Sequence, residues 1–215
     1  MKHDLRPDRA VASAVRDILC AFVGEAADSL AGKQVSDADV HSARKAVKRA
    51  RAAVRLMRDA LPPAVYRREN AALRDTSRPL GAARDARVLV GSVGRLEKLY
   101  GPAARHSVSP AFSRILDRER DQAHRGNTHT SREELLTIAR RMAARKIESR
   151  GWKDIGSGPE RTYRQGRKAM HRAQAEPTPE WLHEWRKQTK YLWHQLQIFE
   201  PLAPGRIGEL ADQAH

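Results

Sequence analysis

The sequence has almost no cysteine and few aromatic residues, and both shortages limit what the protein can be. Its one cysteine, Cys20, excludes an internal disulfide and is typical of a reducing compartment. Because it lies in the apolar run 18–23, we expect a buried, unreactive thiol. With three Phe, four Trp and four Tyr in 215 residues, Ala, Leu and Val must supply most of the core, which favours helices over sheets.

Long apolar runs are also missing. No stretch approaches the roughly 20 apolar residues that cross a bilayer. Residues 1–7 lack the apolar core of a signal peptide. We therefore expect a cytoplasmic protein that does not enter a membrane.

Acidic residues are too few to balance the basic ones. The formal net charge is +15 and the isoelectric point is near 10.7. Of the 41 basic residues 31 are Arg and 10 are Lys, and a guanidinium can hold two phosphate oxygens at once. This balance indicates an acidic partner such as nucleic acid, an anionic membrane surface or a free polyanion. A charge that only keeps the protein in solution is the plainer alternative.

Apolar positions recur at helical spacing along nearly the whole chain, and no segment alternates as a strand does. We therefore predict an all-α fold. The run Ser36-Asp37-Ala38-Asp39 offers caps for one helix, a capping box of Ser131 and Glu134 opens another, and 126–130 is the expected link between two halves. Helices are predicted at about 7–31, 37–61, 64–77, 79–99, 109–124, 131–149, 160–174 and 179–200, with a loop at 151–159 and a short helix after 205.

One pattern, His-x-x-Arg-Lys-x-x-Lys, occurs twice, 142 residues apart. Spacings of i, i+3, i+4 and i+7 place its four side chains on one helix face. Like charges at these spacings repel each other, so a solvated surface has no reason to repeat them. A polyvalent anion held between two matched helices would explain both charge and duplication. The copies are His41, Arg44, Lys45 and Lys48, and His183, Arg186, Lys187 and Lys190.

Each basic face is expected to have an apolar face behind it. No acid occurs from His41 to Arg58, and cations recur about every 5 Å, once per turn, which fits a linear anion. In the second helix, Glu184 is expected to point away from the basic face. A third acid-free basic stretch covers 161–172. The predicted core positions are Val40, Ala43, Val47, Ala50, Val54 and Leu61 in the first helix, and Leu182, Trp185, Leu192, Leu196 and Phe199 in the second.

The two motif histidines allow other chemistry. No carboxylate or Cys lies at ligand spacing around His41 or His183, which argues against a metal. No Ser or Cys nucleophile and no carboxylate pair accompanies them, which argues against catalysis. We therefore expect no cofactor and no enzyme, and histidines that donate to an oxyanion. Nucleic-acid binding would also explain the charge, although no helix-turn-helix, zinc-finger or RNP motif is present.

These motifs resemble those of the CHAD domain, the conserved histidine α-helical domain, over nearly all of residues 1–215. The resemblance implies two pseudo-symmetric helical bundles around a basic central groove or pore, one at about 5–126 and one at about 131–215. Family members generally repeat Leu-Gly-x-x-x-Asp after the second signature helix. This chain does not, so a truncated second half is expected. The matching segments are 40–51, Leu80-Gly81-x-x-Arg84-Asp85, Tyr163-Arg164-x-x-Arg167 and 182–191.

CHAD domains bind inorganic polyphosphate, often at polyphosphate granules. The resemblance therefore implies a non-catalytic protein that binds polyphosphate or another linear polyanion, with nucleic acid as the alternative partner. Asp85 is expected to orient neighbouring cations rather than to touch the anion. The implied ligands are His41, Arg44, Lys45, Lys48, Arg49, Arg51 and Arg84 in the first half, and Tyr163, Arg164, Arg167, His183, Arg186, Lys187 and Lys190 in the second.

Overall fold

The fold was examined in a computed structural model, which describes residues 5, 10–81, 95, 98–101, 128–148 and 151–214. Over these residues the chain is helical and has no strand, which confirms the all-α prediction. The predicted helix at 109–124 and most of that at 79–99 lie outside them. The α-helices are α1 (Val11–Ser29), α2 (Asp37–Leu56), α3 (Pro63–Ser77), α4 (128–143), α5 (Trp152–Ala175), α6 (Pro179–Phe199) and α7 (Pro204–Gln213), and 3-10 turns follow α2 (Met57–Asp59) and α6 (Glu200–Leu202).

The two helices that carry the repeated motif begin in the same way. Ser36 caps α2 in a capping box: its Oγ accepts from the Asp39 backbone N–H at 3.2 Å, and the Asp39 carboxylate accepts from the Ser36 N–H at 2.8 Å. Thr178 caps α6, accepting from the Trp181 N–H at 3.3 Å. Each cap stands five residues before its motif histidine, so the motif begins at the same point of both helices.

Helix α2 is the centre of the packing. It contacts α1 along its length, and it also contacts α3, α5 and α6. Helices α5 and α6 form a second closely packed pair, with α7 against α6. The predicted core face of α2 is confirmed, because Val40, Ala43, Val47, Ala50, Val54 and Leu61 are all buried.

The predicted loop at 151–159 is wrong. Residues from Trp152 onward are helical and belong to α5, with Pro159 inside the helix. Its glycines indicated flexibility, but Gly158 instead allows α5 to lie directly against the end of α2. The carboxylate of Asp59, in the turn after α2, accepts from Ser157 Oγ at 2.6 Å and from Arg161 Nη2 at 2.9 Å, which holds α5 to this turn.

The predicted capping box at Ser131 is also wrong. Residues 128–130, expected in the link, are already helical, so Ser131 lies within α4. Its Oγ donates to the Thr76 carbonyl at 3.3 Å, and Thr76 Oγ1 donates to Glu134 at 2.8 Å. The two residues thus join α4 to α3.

A buried carboxylate strengthens this contact between α3 and α4. Glu69 has no exposed side-chain surface and accepts two hydrogen bonds from Arg141, at 3.0 and 2.7 Å, and one from Arg68 at 2.8 Å.

The cysteine of α1 also contacts α4. The half-buried Cys20 donates to the Ala139 carbonyl at 3.8 Å. Burial raises the pKa of this thiol, although Cys20 is only partly buried and not fully buried as predicted.

The predicted core face of α6 is only partly right. Phe199 is buried, but Leu182 and Trp185 are exposed, so Trp185 is not a core residue. The buried stripe instead contains Gln188, Tyr191 and Gln195, and it lies between the basic face and the apolar face. None of the described helices is long and apolar enough to span a bilayer.

Candidate anion-binding site

Helices α2 and α6 meet where two arginine side chains of α2 contact a tyrosine ring of α6. The guanidinium carbons of Arg55 and Arg51 lie 4.4 and 5.5 Å from the ring centroid of Tyr191. Arg55 also donates to Gln165 of α5 at 3.1 Å. Burial lowers the pKa of Arg51, with Tyr191 acting in the opposite direction. The basic side of α2 is therefore in contact with α6 at this point.

A second contact lies on the same part of α2. Arg55 and Arg51 meet Tyr191, and the Ala52 carbonyl between them accepts from Gln195 at 3.5 Å. The two helices therefore cross here, beyond the end of each motif copy. At 1.5 Å per residue, each face extends roughly 15–20 Å from the crossing back to its motif histidine.

His194 lies in α6 at this crossing. Its Nδ1 is 3.2 Å from Gln197 Oε1, and its ring centroid is 4.6 Å from that of Trp193. On the same helix, Lys190 Nζ is 4.5 Å from the Trp193 ring centroid. Because Lys190 and His194 are separated by four residues, their side chains are neighbours on one helix face.

Cations of both signature helices act on this imidazole. The pKa of His194 is lowered from 6.5 to about 4, chiefly by burial, against a hydrogen bond to Gln197, and then by the charges of Arg49, Lys190 and Lys48. Lys48 and Lys190 are the last residues of the two motif copies, and Arg49 follows Lys48 directly. The structure therefore brings the ends of the two motifs into one electrostatic environment around His194.

The remaining motif residues lie along the two helices on either side of the crossing. Arg44 is partly buried against the Leu80-Gly81 segment, because a Cβ at Gly81 would lie 2.9 Å from Arg44 Nη1. The guanidinium of Arg44 therefore lies directly against Gly81 and links two segments that are far apart in the sequence. The exposed members are His41, Lys45, Lys48, His183, Arg186 and Lys187.

Two predicted ligands are held by carboxylates. Arg49 forms an ion pair with Glu25 of α1, and its guanidinium carbon lies 4.6 Å from the Phe22 ring centroid, so this side chain turns towards α1. Lys187 forms an ion pair with Glu184. Burial raises the pKa of Glu184, but hydrogen bonds from Lys187 and Gln188 outweigh it and keep the pKa low. The expectation that Glu184 points away from the basic face is therefore wrong.

The predicted ligands of α5 are not on the side that meets α2. Tyr163 and Arg167 line an apolar cavity of about 540 Å³ between α5, α6 and α7, together with Trp185 and Leu192. Arg164 is exposed and forms an ion pair with Glu160 at 2.6 Å. Gln165, which no motif indicated, is the α5 residue that reaches Arg55. Arg84 and Asp85 lie outside the described residues.

Tyr191 and His194 lie at the crossing but outside the four residues of the repeated motif. Tyr191 follows Lys190 directly and ends the segment that carries the family resemblance, and His194 lies one helical turn beyond Lys190. Helical spacing predicted that His194 shares the basic face of the second helix, but His194 was not among the predicted ligands. The part of the chain that the structure describes contains no group of His, Cys, Asp or Glu suited to hold a metal ion. What the crossing offers is positive charge and hydrogen-bond donors.

The described residues form a helical domain in which two helices with the same cationic motif cross. These features indicate a class of protein but not a particular reaction. Comparison with protein families matches residues 13–215 to the CHAD domain, and the chain belongs to this family. The predicted resemblance is thereby confirmed. No curated protein matches the chain.

Proposed function

We propose that this protein binds inorganic polyphosphate along a cationic track formed by α2 and α6, without catalysing a reaction. The observation that carries the proposal is the crossing of α2 and α6, where Arg51 and Arg55 contact Tyr191 and the charges of Arg49, Lys190 and Lys48 act on the partly buried His194. Positive charge from two helices is thus concentrated at one place. A polymer with negative charge on every phosphate would be attracted to it.

The length of the track supports a linear ligand over a small one. The basic faces extend roughly 15–20 Å to each side of the crossing, and each adds a cation about once per helical turn. A single orthophosphate could contact only one part of such a track. A flexible chain of phosphates could contact both helices at once.

The repeated organisation supports the wider arrangement of the family. The helix pairs α1–α2 and α5–α6 are each closely packed, and the second helix of each pair carries the motif at the same distance from its cap. We propose that the two pairs belong to two related halves, about 5–126 and 131–215, whose basic sides enclose a groove or pore. The predicted Arg84 would belong to its wall. Binding there would place the protein on cytoplasmic polyphosphate granules.

Competition between two polyanions tests the proposal. Labelled long-chain polyphosphate is bound to the protein near physiological salt and challenged with excess DNA or RNA. We expect polyphosphate to remain bound, and its affinity to fall steeply with salt as counterions are released. Easy displacement by nucleic acid would favour the alternative partner. Release of orthophosphate from the polymer would contradict a non-catalytic role.

A pair of charge variants locates the site. Lys48→Ala with Lys190→Ala should weaken binding and reduce the slope of log affinity against log salt by about 1.5, since each lost phosphate contact contributes roughly 0.7–0.9. Arg140→Ala with Lys146→Ala removes the same charge from exposed positions of the α4 region and is the matched control. Equal loss in both variants would mean that net charge, not the crossing, binds the anion.

A further inference from the structure

We propose that His194 is a proton-linked ligand of the bound polyanion: it is neutral in the free protein and takes up one proton as phosphates bind at the helix crossing. This inference rests on the proposed polyphosphate site and adds a residue that neither the repeated motif nor the family resemblance assigned. It makes binding dependent on pH.

The position of His194 makes it the meeting point of the two halves of the track. It follows Lys190 by one turn of α6, and its ring lies against Trp193, on which Lys190 also packs. The next residue, Gln195, reaches the Ala52 carbonyl of α2, and the charges of Lys48 and Arg49 act on the His194 ring. We therefore expect an anion held by both helices to lie next to the imidazole.

One nitrogen of the ring is already engaged. With Gln197 Oε1 as acceptor at 3.2 Å, Nδ1 carries the hydrogen of the neutral ring. Nε2 is then the nitrogen that can take up a proton and become a second donor. The balance of the step is simple: one proton moves from solvent to Nε2, and no covalent bond to phosphate forms.

Burial and charge together decide when this proton binds. The charges that act on the ring are those of Arg49 and Lys48 of α2 and Lys190 of α6, and Arg49 is also paired with Glu25 of α1. Burial, and then these cations, hold the pKa of His194 at about 4, so the ring is neutral near pH 7. Phosphates placed among the same cations reverse the local charge and favour the imidazolium form.

The direction of the pH dependence follows from linkage. A group that binds a proton more tightly in the complex than in the free protein strengthens ligand binding as the pH falls. If bound phosphates restore the ordinary pKa of 6.5, affinity through His194 rises about tenfold from pH 7.5 to pH 5.5, with uptake of close to one proton at pH 5.5. The terminal phosphates of a long polymer are too few to produce this uptake.

The test measures proton uptake by calorimetry of long-chain polyphosphate binding at pH 5.5, in buffers of different ionisation enthalpy. His194→Gln keeps a polar side chain that cannot be charged and should lose close to one proton of uptake and the tenfold rise in affinity. His129→Gln, an exposed residue of α4, is the matched control and should retain both.

The outcomes separate this inference from the proposed function. If the protein binds polyphosphate but His194→Gln takes up as many protons as the unaltered protein, the role of His194 is refuted and the binding site stands. If polyphosphate does not bind at any pH, the proposed function itself fails. Should the variant not fold, NMR titration of the His194 ring in the unaltered protein decides, since an apparent pKa that polyphosphate leaves unchanged refutes the inference.

Discussion

Gly158 of α5 lies against Leu56 at the end of α2, so that a Cβ added to the glycine would stand 2.9 Å from the Leu56 Cα and 3.0 Å from its Cδ2. Both atoms are buried, and the Leu56 backbone cannot move without displacing the helix end that carries Arg51 and Arg55. The approach of α5 to α2 thus depends on the absence of one side chain. This contact holds Gln165 within reach of Arg55.

Gly158→Ala should therefore destabilise the protein by about 1–3 kcal/mol, because the added methyl group overpacks this contact. Gly156→Ala is a control in the same helix, since a Cβ there meets nothing within 4 Å. This control should be neutral or more stable by up to about 1 kcal/mol, because alanine favours the helix. Urea unfolding of both variants measures the difference. Equal effects would contradict the close contact.

Glu69→Gln should lower the free energy of unfolding by about 1.5–3 kcal/mol, because the buried carboxylate loses its charge-assisted hydrogen bonds from Arg141 and Arg68. Burial raises the pKa of Glu69, but hydrogen bonds and charge from Arg141 and Arg68 outweigh it and hold the pKa below 4.5. The ion pair therefore stabilises the fold above pH 4.5, and this contribution is lost as the pH falls through the lowered pKa.

The control for this variant is Glu133→Gln, whose exposed carboxylate pairs only with Arg132 among the recorded ion pairs of α4. It should change stability by less than about 1 kcal/mol. Unfolding curves at neutral and acid pH compare the two. A Glu69→Gln protein as stable as the control would show that the buried pair contributes nothing.

Tyr191→Ala should destabilise the protein by about 3 kcal/mol or more, because it removes a buried ring and both arginine contacts across the helix crossing. Tyr191→Phe keeps the ring and should stay within about 1 kcal/mol of the unaltered protein. Tyr163→Ala removes a tyrosine that is 53% exposed and should cost much less. Chemical unfolding ranks the three variants, and a similar cost for Tyr163 would argue against the crossing as the main contact.

His194 should make the free protein less stable in mild acid. Its pKa is lowered from 6.5 to about 4 in the folded state, so the unfolded chain binds the proton more readily between these values. The resulting loss of stability is about 2 kcal/mol at pH 5, and it is absent above pH 7. His194→Gln should remove this part of the pH dependence. Unfolding free energies at pH 7.5 and pH 5 test it, without any ligand present.

The faces of α2 were predictable from sequence because its apolar spacing continues without interruption. Val40, Val47 and Val54 recur at seven-residue intervals and are all buried. Residues at this spacing must share a side, and the neighbouring α1 covers that side along its whole length. The helical fold, the cap of α2 and the family followed from equally local patterns, whereas the capping box at Ser131 and the loop at 151–159 did not.

Apolar spacing did not predict the buried face of α6 correctly. Spacing identifies the apolar side of a helix, but it does not show which neighbouring helix covers that side. Leu182 and Trp185 are exposed, whereas Gln188 and Gln195 are buried where α6 crosses α2. No spacing rule could foresee that polar stripe. Burial there is set by the direction from which another helix approaches.

From the sequence alone came the helical fold, the duplicated cationic motif and the prediction of an anionic ligand. Only the tertiary structure decided that the helices of the two motif copies cross at Tyr191 and Gln195, and that Arg49 turns to Glu25 while Tyr163 and Arg167 line an apolar cavity. The physical reason is one of range. Helix spacing orders side chains within a few turns, but contacts between helices depend on residues that packing brings together from more than a hundred positions apart.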